Sequence, residues 1–187
     1  EIADLIEKHQ GEVFFSDQPF RNGSERVAAA IADIECDICI NIQGDEVFIT
    51  PEVLDRAVQV LERRPELQIA TAVFPIDNGT DLADRNLVKV KVDNSGTVTA
   101  FSRDPINAGD RENHGHVGIY AYRKPFLLKF ARLQPTAGEI EQSLEQLRII
   151  EHGFSIGAAI LPQPLMAINS PADLVQAEKL LAGEKGS

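Results

Sequence analysis

The chain has 187 residues, 43% hydrophobic and 25% charged, with 18 Lys+Arg against 29 Asp+Glu and a formal net charge of -11. That is the length and composition of one globular domain with its own core. The acidic balance excludes a nucleic-acid backbone as the main partner, because no basic surplus exists to displace counterions, and no apolar run approaches a membrane span.

The segment EIADLIEKHQ is charged, carries Ile2, Leu5 and Ile6 at helical spacing, and is not a secretory signal. Glu12–Ser16 (EVFFS) reads as a short strand, and DQPFRNGS (17–24) as loop. Ser24 is placed to cap a helix bearing Val27, Ala28 and Ile31. Ile38–Ile42 (ICINI) reads as a buried strand, and Thr50-Pro51-Glu52 opens a helix whose inner face is Val53, Leu54, Ala57, Val58 and Leu61. Ile69–Val73 is a strand, while Val88–Val92 (VKVKV) alternates as a half-exposed one. The latter turns through Asp93-Asn94-Ser95-Gly96 into Thr97–Phe101 as a hairpin. Residues 104–116 read as polar loop, Val117–Tyr122 as strand and Pro125–Phe130 as a short helix. Ile140–Ile150 reads as one amphipathic helix with Ile140, Leu144, Leu147 and Ile150 inward. Ser155–Leu161 is a strand, and Ser170 caps a last helix through Leu181. The pattern predicts an α/β domain over 1–187 with a mixed sheet and helices on both faces.

The densest chemical signal is Gln43-Gly44-Asp45-Glu46 at the carboxyl end of a strand, where open α/β sheets bind ligands. Glycine admits close backbone approach, and the paired carboxylates suit a divalent cation. Other polar groups are assigned bland roles. Cys36-Asp37-Ile38-Cys39 cannot aim both thiols to one side of an extended segment, and two cysteines point to a reducing, cytoplasmic setting. His114 is read as loop, although alternation puts it on one face with His116 as a metal-capable pair. Arg85, Lys89 and Lys91 are read as a solvated edge, Phe14, Phe15, Phe126 and Phe130 as core, and Tyr120 and Tyr122 as sharing a face.

Six segments occur in order: Asn22-Gly23-Ser24-Glu25-Arg26, Gln43-Gly44-Asp45-Glu46, Phe101-Ser102-Arg103, His116-Val117-Gly118-Ile119-Tyr120-Ala121-Tyr122-Arg123, Leu144-Glu145-Gln146-Leu147-Arg148, and Asn169-Ser170-Pro171-Ala172-Asp173-Leu174. Together they resemble the 3-deoxy-manno-octulosonate cytidylyltransferases, or CMP-Kdo synthetases, from about residue 1 to 180. The resemblance implies a nucleotide-diphospho-sugar transferase-like, Rossmann-like fold. It also implies a magnesium-dependent reaction of CTP with Kdo, giving CMP-Kdo and pyrophosphate in lipopolysaccharide biosynthesis. By the same resemblance Gly23, Ser24, Arg26 and Gln43 are expected at the nucleotide, and Arg103, His116, Tyr120, Glu145 and Gln146 at the sugar acid. Asp45 is expected to act catalytically through the metal, with Asn169 as second metal ligand. The stretch about 88–116 is expected on the sugar and dimer side.

Departures from the family pattern set further expectations. The family's Gly/Ala-rich phosphate loop precedes everything matched here, so the chain is expected to be N-terminally truncated. Asn169 stands where the family has Asp, and Val47 where it usually has Pro. The chain alone is therefore expected to be weak or inactive as an enzyme, the alternative being a non-catalytic sugar-acid-binding or interaction module. An exposed apolar edge at Ile38–Ile42 would favour a homodimer.

Overall fold

The computed structural model describes residues 1–76, 82–105 and 113–183. In chain order the elements are α1 (Ile2–Lys8), α2 (Gly23–Ala30), β1 (Ile38–Ile42), α3 (Pro51–Arg63), β2 (Ile69–Pro75), β3 (Lys89–Val92), β4 (Thr97–Ser102), β5 (Asn113–Arg123), α4 (Lys124–Phe130), α5 (Ala137–Gln142), α6 (Glu145–Glu151), β6 (Ile156–Ile160) and α7 (Pro171–Leu181).

One mixed sheet runs β1-β5-β2-β6-β4-β3, with β3 also paired to β5. Only β2–β6 is parallel among these ladders. Gly115 pairs with both Phe74 of β2 and Lys89 of β3, and Ala121 with both Ala70 of β2 and Ile40 of β1. A strand has two edges, so β2 takes one edge of β5, and β3 and β1 share the other. Between them residues 116–118 of β5 have no ladder partner on that edge, His116 N donating instead to Val88 O at 3.0 Å, and that gap in the ladders is the floor of the site.

Alternation along β2 and β5 splits the core into two layers. Ile69 and Val73 of β2 and Tyr120 and Tyr122 of β5 pack with Ala28 of α2, Phe126, Leu127 and Phe130 of α4, and Ile149 of α6. Ala70, Ala72, Phe74, Val117, Ile119 and Ala121 face Val53, Ala57 and Leu61 of α3. Helices thus cover both faces, Tyr120 and Tyr122 share one, and Phe126 and Phe130 are core, as expected from the sequence. No helix among the described residues is long and apolar enough to cross a membrane.

Several local expectations are corrected. Residues 12–16 form no strand, and Phe14 and Phe15 are 48% and 75% exposed, because no neighbouring strand offers them a ladder. Asn22, not Ser24, caps α2, accepting from Glu25 N at 2.9 Å, while Ser24 lies buried within the first turn. Residues 113–116 are strand, not loop, so His114 is buried in β5; the remaining loop reading at 106–112 lies outside the described residues. Lys89 is buried, its ammonium donating to the carbonyls of Asp84 (2.6 Å) and Arg103 (2.9 Å). The single helix expected over 140–150 is two, separated at Ser143, and Ile140 is exposed.

Candidate functional site

A cleft of about 940 Å³ opens over the gap in β5, a size suited to a small organic ligand. Gly23, Gln43, Asp45, Arg103, His116, Tyr120, Glu145, Gln146 and Asn169 all line it, although they come from six separate stretches of chain. Ser24 and Arg26 do not line it. Ser24 is buried behind the wall, and Arg26 is exposed, with its guanidinium 5.8 Å from the centre of the Phe20 ring.

The floor is made by an irregularity. Register between β2 and β5 shifts at Thr71/Ala72: Thr71 is opposite Tyr120, but Ala72 is opposite Val117. The intervening Gly118 and Ile119 bulge, which releases backbone groups for other partners. Gly118 carbonyl accepts from Gln43 N at 2.9 Å, and Gly118 N donates to Glu46 Oε1 at 2.5 Å. This seats the Gln-Gly-Asp-Glu loop. A side chain at 118 would not fit, since a Cβ there would lie 2.9 Å from both Gln43 Cγ and Glu46 Oε1. Glu46 is therefore turned inward, while Asp45 stands exposed. Burial raises the Glu46 pKa against the pull of the Gly118 N–H, and the Asp45 charge adds to the rise.

The opposite wall is α5–α6. Ser143 takes a left-handed conformation (φ 53°), which ends α5 and restarts the chain as α6. Its strain, about 1 kcal/mol for a residue with a Cβ, is held by the charges around it. Arg148, fully buried, donates to Glu139 Oε2 from Nε at 2.6 Å, to Glu139 Oε1 from Nη2, and to Glu25 Oε1 from Nη1 at 2.8 Å. Its guanidinium carbon lies 4.7 Å from the Phe130 ring centre. Burial opposes ionisation of Glu25, but the Arg148 guanidinium and the Arg21 N–H outweigh it and hold that carboxyl below its usual range.

Glu145 sits at the start of α6, where Ser24 donates to it from Oγ (2.8 Å) and from N (3.3 Å). Ser24 Oγ also lies 3.0 Å from Tyr122 OH and accepts from Asn41 Nδ2 at 3.1 Å. Burial pushes the Glu145 carboxyl up despite those bonds. Next to it, Gln146 is 5% exposed, and its Oε1 has no partner among the described residues. A buried, unpaired acceptor on a cleft wall is costly unless a ligand or solvent donor reaches it.

Arg103 reaches the cleft with a partly committed guanidinium: Nε donates to Gln142 O (2.9 Å) and Nη1 to Arg85 O (3.0 Å). Those bonds fix the plane, and Nη2 has no partner among the described residues. His116 Nε2 lies 3.0 Å from Thr71 Oγ1, and its ring packs against Phe101 and Tyr120. Burial and then the Arg103 charge lower its pKa to about 3, so the imidazole is neutral at ordinary pH. Tyr120 is protonated, burial and the Glu145 charge raising its pKa well above 10.0.

Asp45 and Asn169 face the same cleft, and Ile168 N donates to Asp45 O at 2.9 Å, tying the two loops together. Among the described residues no cluster of three or more His, Cys, Asp or Glu could hold a metal ion. One carboxylate and one amide oxygen fit magnesium, which takes few protein ligands and completes its shell with phosphates and water.

Comparison with known proteins decides the family. The cytidylyltransferase family profile matches residues 1–157. The 3-deoxy-manno-octulosonate cytidylyltransferase of Acaryochloris marina is 36% identical over 183 residues, covering 95% of this chain and 74% of the relative. This chain belongs to the 3-deoxy-manno-octulosonate cytidylyltransferase family. A second such relative, from Chlorobium phaeobacteroides, is 37% identical over 188 residues, covering 97% of this chain and 76% of the relative. A solved CMP:2-keto-3-deoxy-manno-octonic acid synthetase complexed with CTP superposes with a TM-score of 0.87 at 30% identity, covering 98% of this chain and 78% of that one. HddC from Yersinia pseudotuberculosis, 16% identical with a TM-score of 0.63 over 96% of this chain and 73% of that one, shares the fold alone. The fold is that of the nucleotide-diphospho-sugar transferases, as expected from the sequence.

Sequence reading missed Thr71, Asn41, Arg21 and Asn22 as parts of the site or its support. Thr71 and Asn41 carry no local mark, because their side-chain partners lie 17 to 48 residues away, whereas Asn22 and Arg21 bond the nearby Glu25 and a cap reading at Asn22 would have found them. Gly118 was within reach: it stands inside the His-x-Gly-Ile-Tyr segment.

Proposed function

We propose that the cleft takes CTP and a Kdo-type sugar acid and joins them as CMP-sugar. The sugar's anomeric oxygen forms a bond to the α-phosphorus, the bond to the β-phosphate breaks, and pyrophosphate leaves. The observation that carries this reading is the meeting of Arg103, His116, Tyr120 and Gln146 with Asp45 around one cleft, in a chain whose 30%-identical structural relative was solved with CTP. Gln43 and Gly23 would lie against the nucleotide, and the free Nη2 of Arg103 against the sugar carboxylate. Asp45 and Asn169 would hold magnesium, which when bound neutralises the phosphates and sets them in line.

The same lining supports slow turnover by these 187 residues alone. Arg21 and Arg103 share the lining with Asp45, Glu46, Asp84 and Glu145, and with Glu139, whose charge Arg148 balances, a net acidic field that suits a triphosphate poorly. Asn169 adds no charge to a magnesium site. These features favour the second reading, a sugar-acid-binding module, over rapid catalysis. We also propose a homodimer: β1 has β5 as its one ladder partner among the described residues, and Ile42 on it is 44% exposed.

Calorimetry with Kdo, and separately with CTP and magnesium, tests the assignment together with a pyrophosphate-release assay. Kdo binding with slow pyrophosphate release is expected. No heat with Kdo at any soluble concentration would refute the sugar-acid site, and turnover at ordinary enzyme rates would refute the weak-enzyme reading. Sedimentation as a monomer would refute the dimer.

A further inference from the structure

Thr71 lies in the middle of β2, fully buried, beneath the cleft floor. Its hydroxyl donates to Ile119 O at 2.7 Å, with Val117 O more distant at 3.5 Å, and stands 3.0 Å from His116 Nε2. A threonine hydroxyl has one proton. With that proton held by a carbonyl that the bulge turns inward, only a lone pair faces the imidazole. The hydrogen in the Thr71–His116 contact therefore belongs to Nε2. A neutral imidazole carries one N–H, so Nδ1 is a bare acceptor. Nδ1 has no hydrogen-bond partner among the described residues, and His116 lines the cleft.

We propose that Thr71 is a positioning residue that locks His116 in its Nε2–H tautomer, making Nδ1 an acceptor reserved for a hydroxyl or amino donor on the bound sugar acid. Without that lock the ring could switch tautomers, and Nδ1 could then either accept from a ligand donor or donate to a ligand carbonyl. With it, the cleft favours a hydroxylated acid over its keto or deoxy counterpart there. A site whose acceptor is set for a ligand hydroxyl discriminates more strongly than an apolar wall. The sugar-acid part rests on the function proposed above; the tautomer part does not.

The test uses the ligand-free 187-residue chain. Long-range ¹H–¹⁵N correlation spectra of the imidazoles at neutral pH report each tautomer, and the His116 signal is assigned by its loss in His116→Gln. Wild type and Thr71→Ser should show Nε2–H, because serine keeps the hydroxyl. Thr71→Val should show a mixture or Nδ1–H, and its Kd for Kdo should rise about three- to tenfold, with Thr71→Ser returning it toward wild type. An Nδ1–H tautomer or an imidazolium in the wild type would overturn the proposal, as would an Nε2–H ring unchanged in folded Thr71→Val. If Thr71→Val does not fold, the wild-type and Thr71→Ser spectra still decide. If the wild type shows Nε2–H but binds no Kdo, the ligand assignment falls and the tautomer lock stands.

Discussion

Replacing Arg148 with methionine should cost about 3–5 kcal/mol of folding stability, the range for breaking a buried ion pair from one side. The figure follows from what is left behind. Glu25 and Glu139 both point at the guanidinium, their side chains only 10% exposed, and Arg148 itself is 0% exposed. Methionine fills much of the volume against Phe130 but supplies no donor, so two shielded carboxylates face one another with only the exposed Arg21 guanidinium, 3.9 Å from Glu25, as counter-charge. In a chain of 187 residues that loss corresponds to a melting shift of roughly 6–20 °C. Urea unfolding followed by circular dichroism measures it directly. The companion variant Glu139→Gln removes one of the stranded charges, so the double variant should be less damaged than the two single losses added together, with a coupling of about 1–3 kcal/mol. The acid limb should change as well. The carboxyl of Glu25 is held below its ordinary 4.5, so its share of stability is present above that pH and disappears as pH falls through its folded value. Arg148→Met should flatten this limb. A loss under about 1 kcal/mol, or strict additivity in the cycle, would refute the view that one guanidinium holds α2, α5 and α6 together.

Three further outcomes follow from the cleft. Gly118→Ala should lose about 1–3 kcal/mol through overpacking against Gln43 and Glu46 and should weaken ligand binding; unchanged melting and calorimetry would show the bulge to be slack. His116 has a folded pKa near 3 against an ordinary 6.5, so the unfolded chain binds the extra proton first. Relative to His116→Gln, the wild type should lose stability as pH falls below 6.5, by up to about 1.4 kcal/mol per pH unit, and parallel stability curves for the two would contradict the buried neutral ring. Asn169→Asp should lower the magnesium concentration needed for CTP-dependent heat or pyrophosphate release by roughly tenfold, because a carboxylate replaces a neutral amide on a hard cation; no change would remove Asn169 from the metal site.

Where one element's own pattern decides, the sequence was readable. The Pro51 start and apolar stripe of α3, the Asp93–Gly96 turn between β3 and β4, and the Ser170 cap of α7, which accepts from Asp173 N, are local statements. The failures have a common cause. Lys89 reads as exposed because alternation cannot show that two carbonyls wait inside for its ammonium. Phe14 and Phe15 read as strand because composition does not reveal whether a partner ladder exists. Ser24 reads as a cap because its buried contacts, to Glu145, Tyr122 and Asn41, lie from 17 to 121 residues away along the chain.

The break at Ser143 shows how such distant contacts make the site. Residues 139 and 148 in one continuous helix would be about 13.5 Å apart along its axis, too far for a direct bond between Glu139 and Arg148. Bending the chain at Ser143 brings them together, and the bidentate pair outweighs the local strain. The same bend starts α6 at Glu145, so Glu145 meets Ser24 and Gln146 is left on the cleft wall with an oxygen that has no partner among the described residues. On the other side, the bulge at Gly118 seats the Gln-Gly-Asp-Glu loop and turns Ile119 carbonyl toward Thr71. Two departures from regular structure, one in a helix and one in a strand, thus set the facing walls of the cleft. Ser143 carries no breaker signature, and Gly118 marks a bulge without saying what it seats, which is why the site residues could be matched along the chain while the geometry that aims them could not.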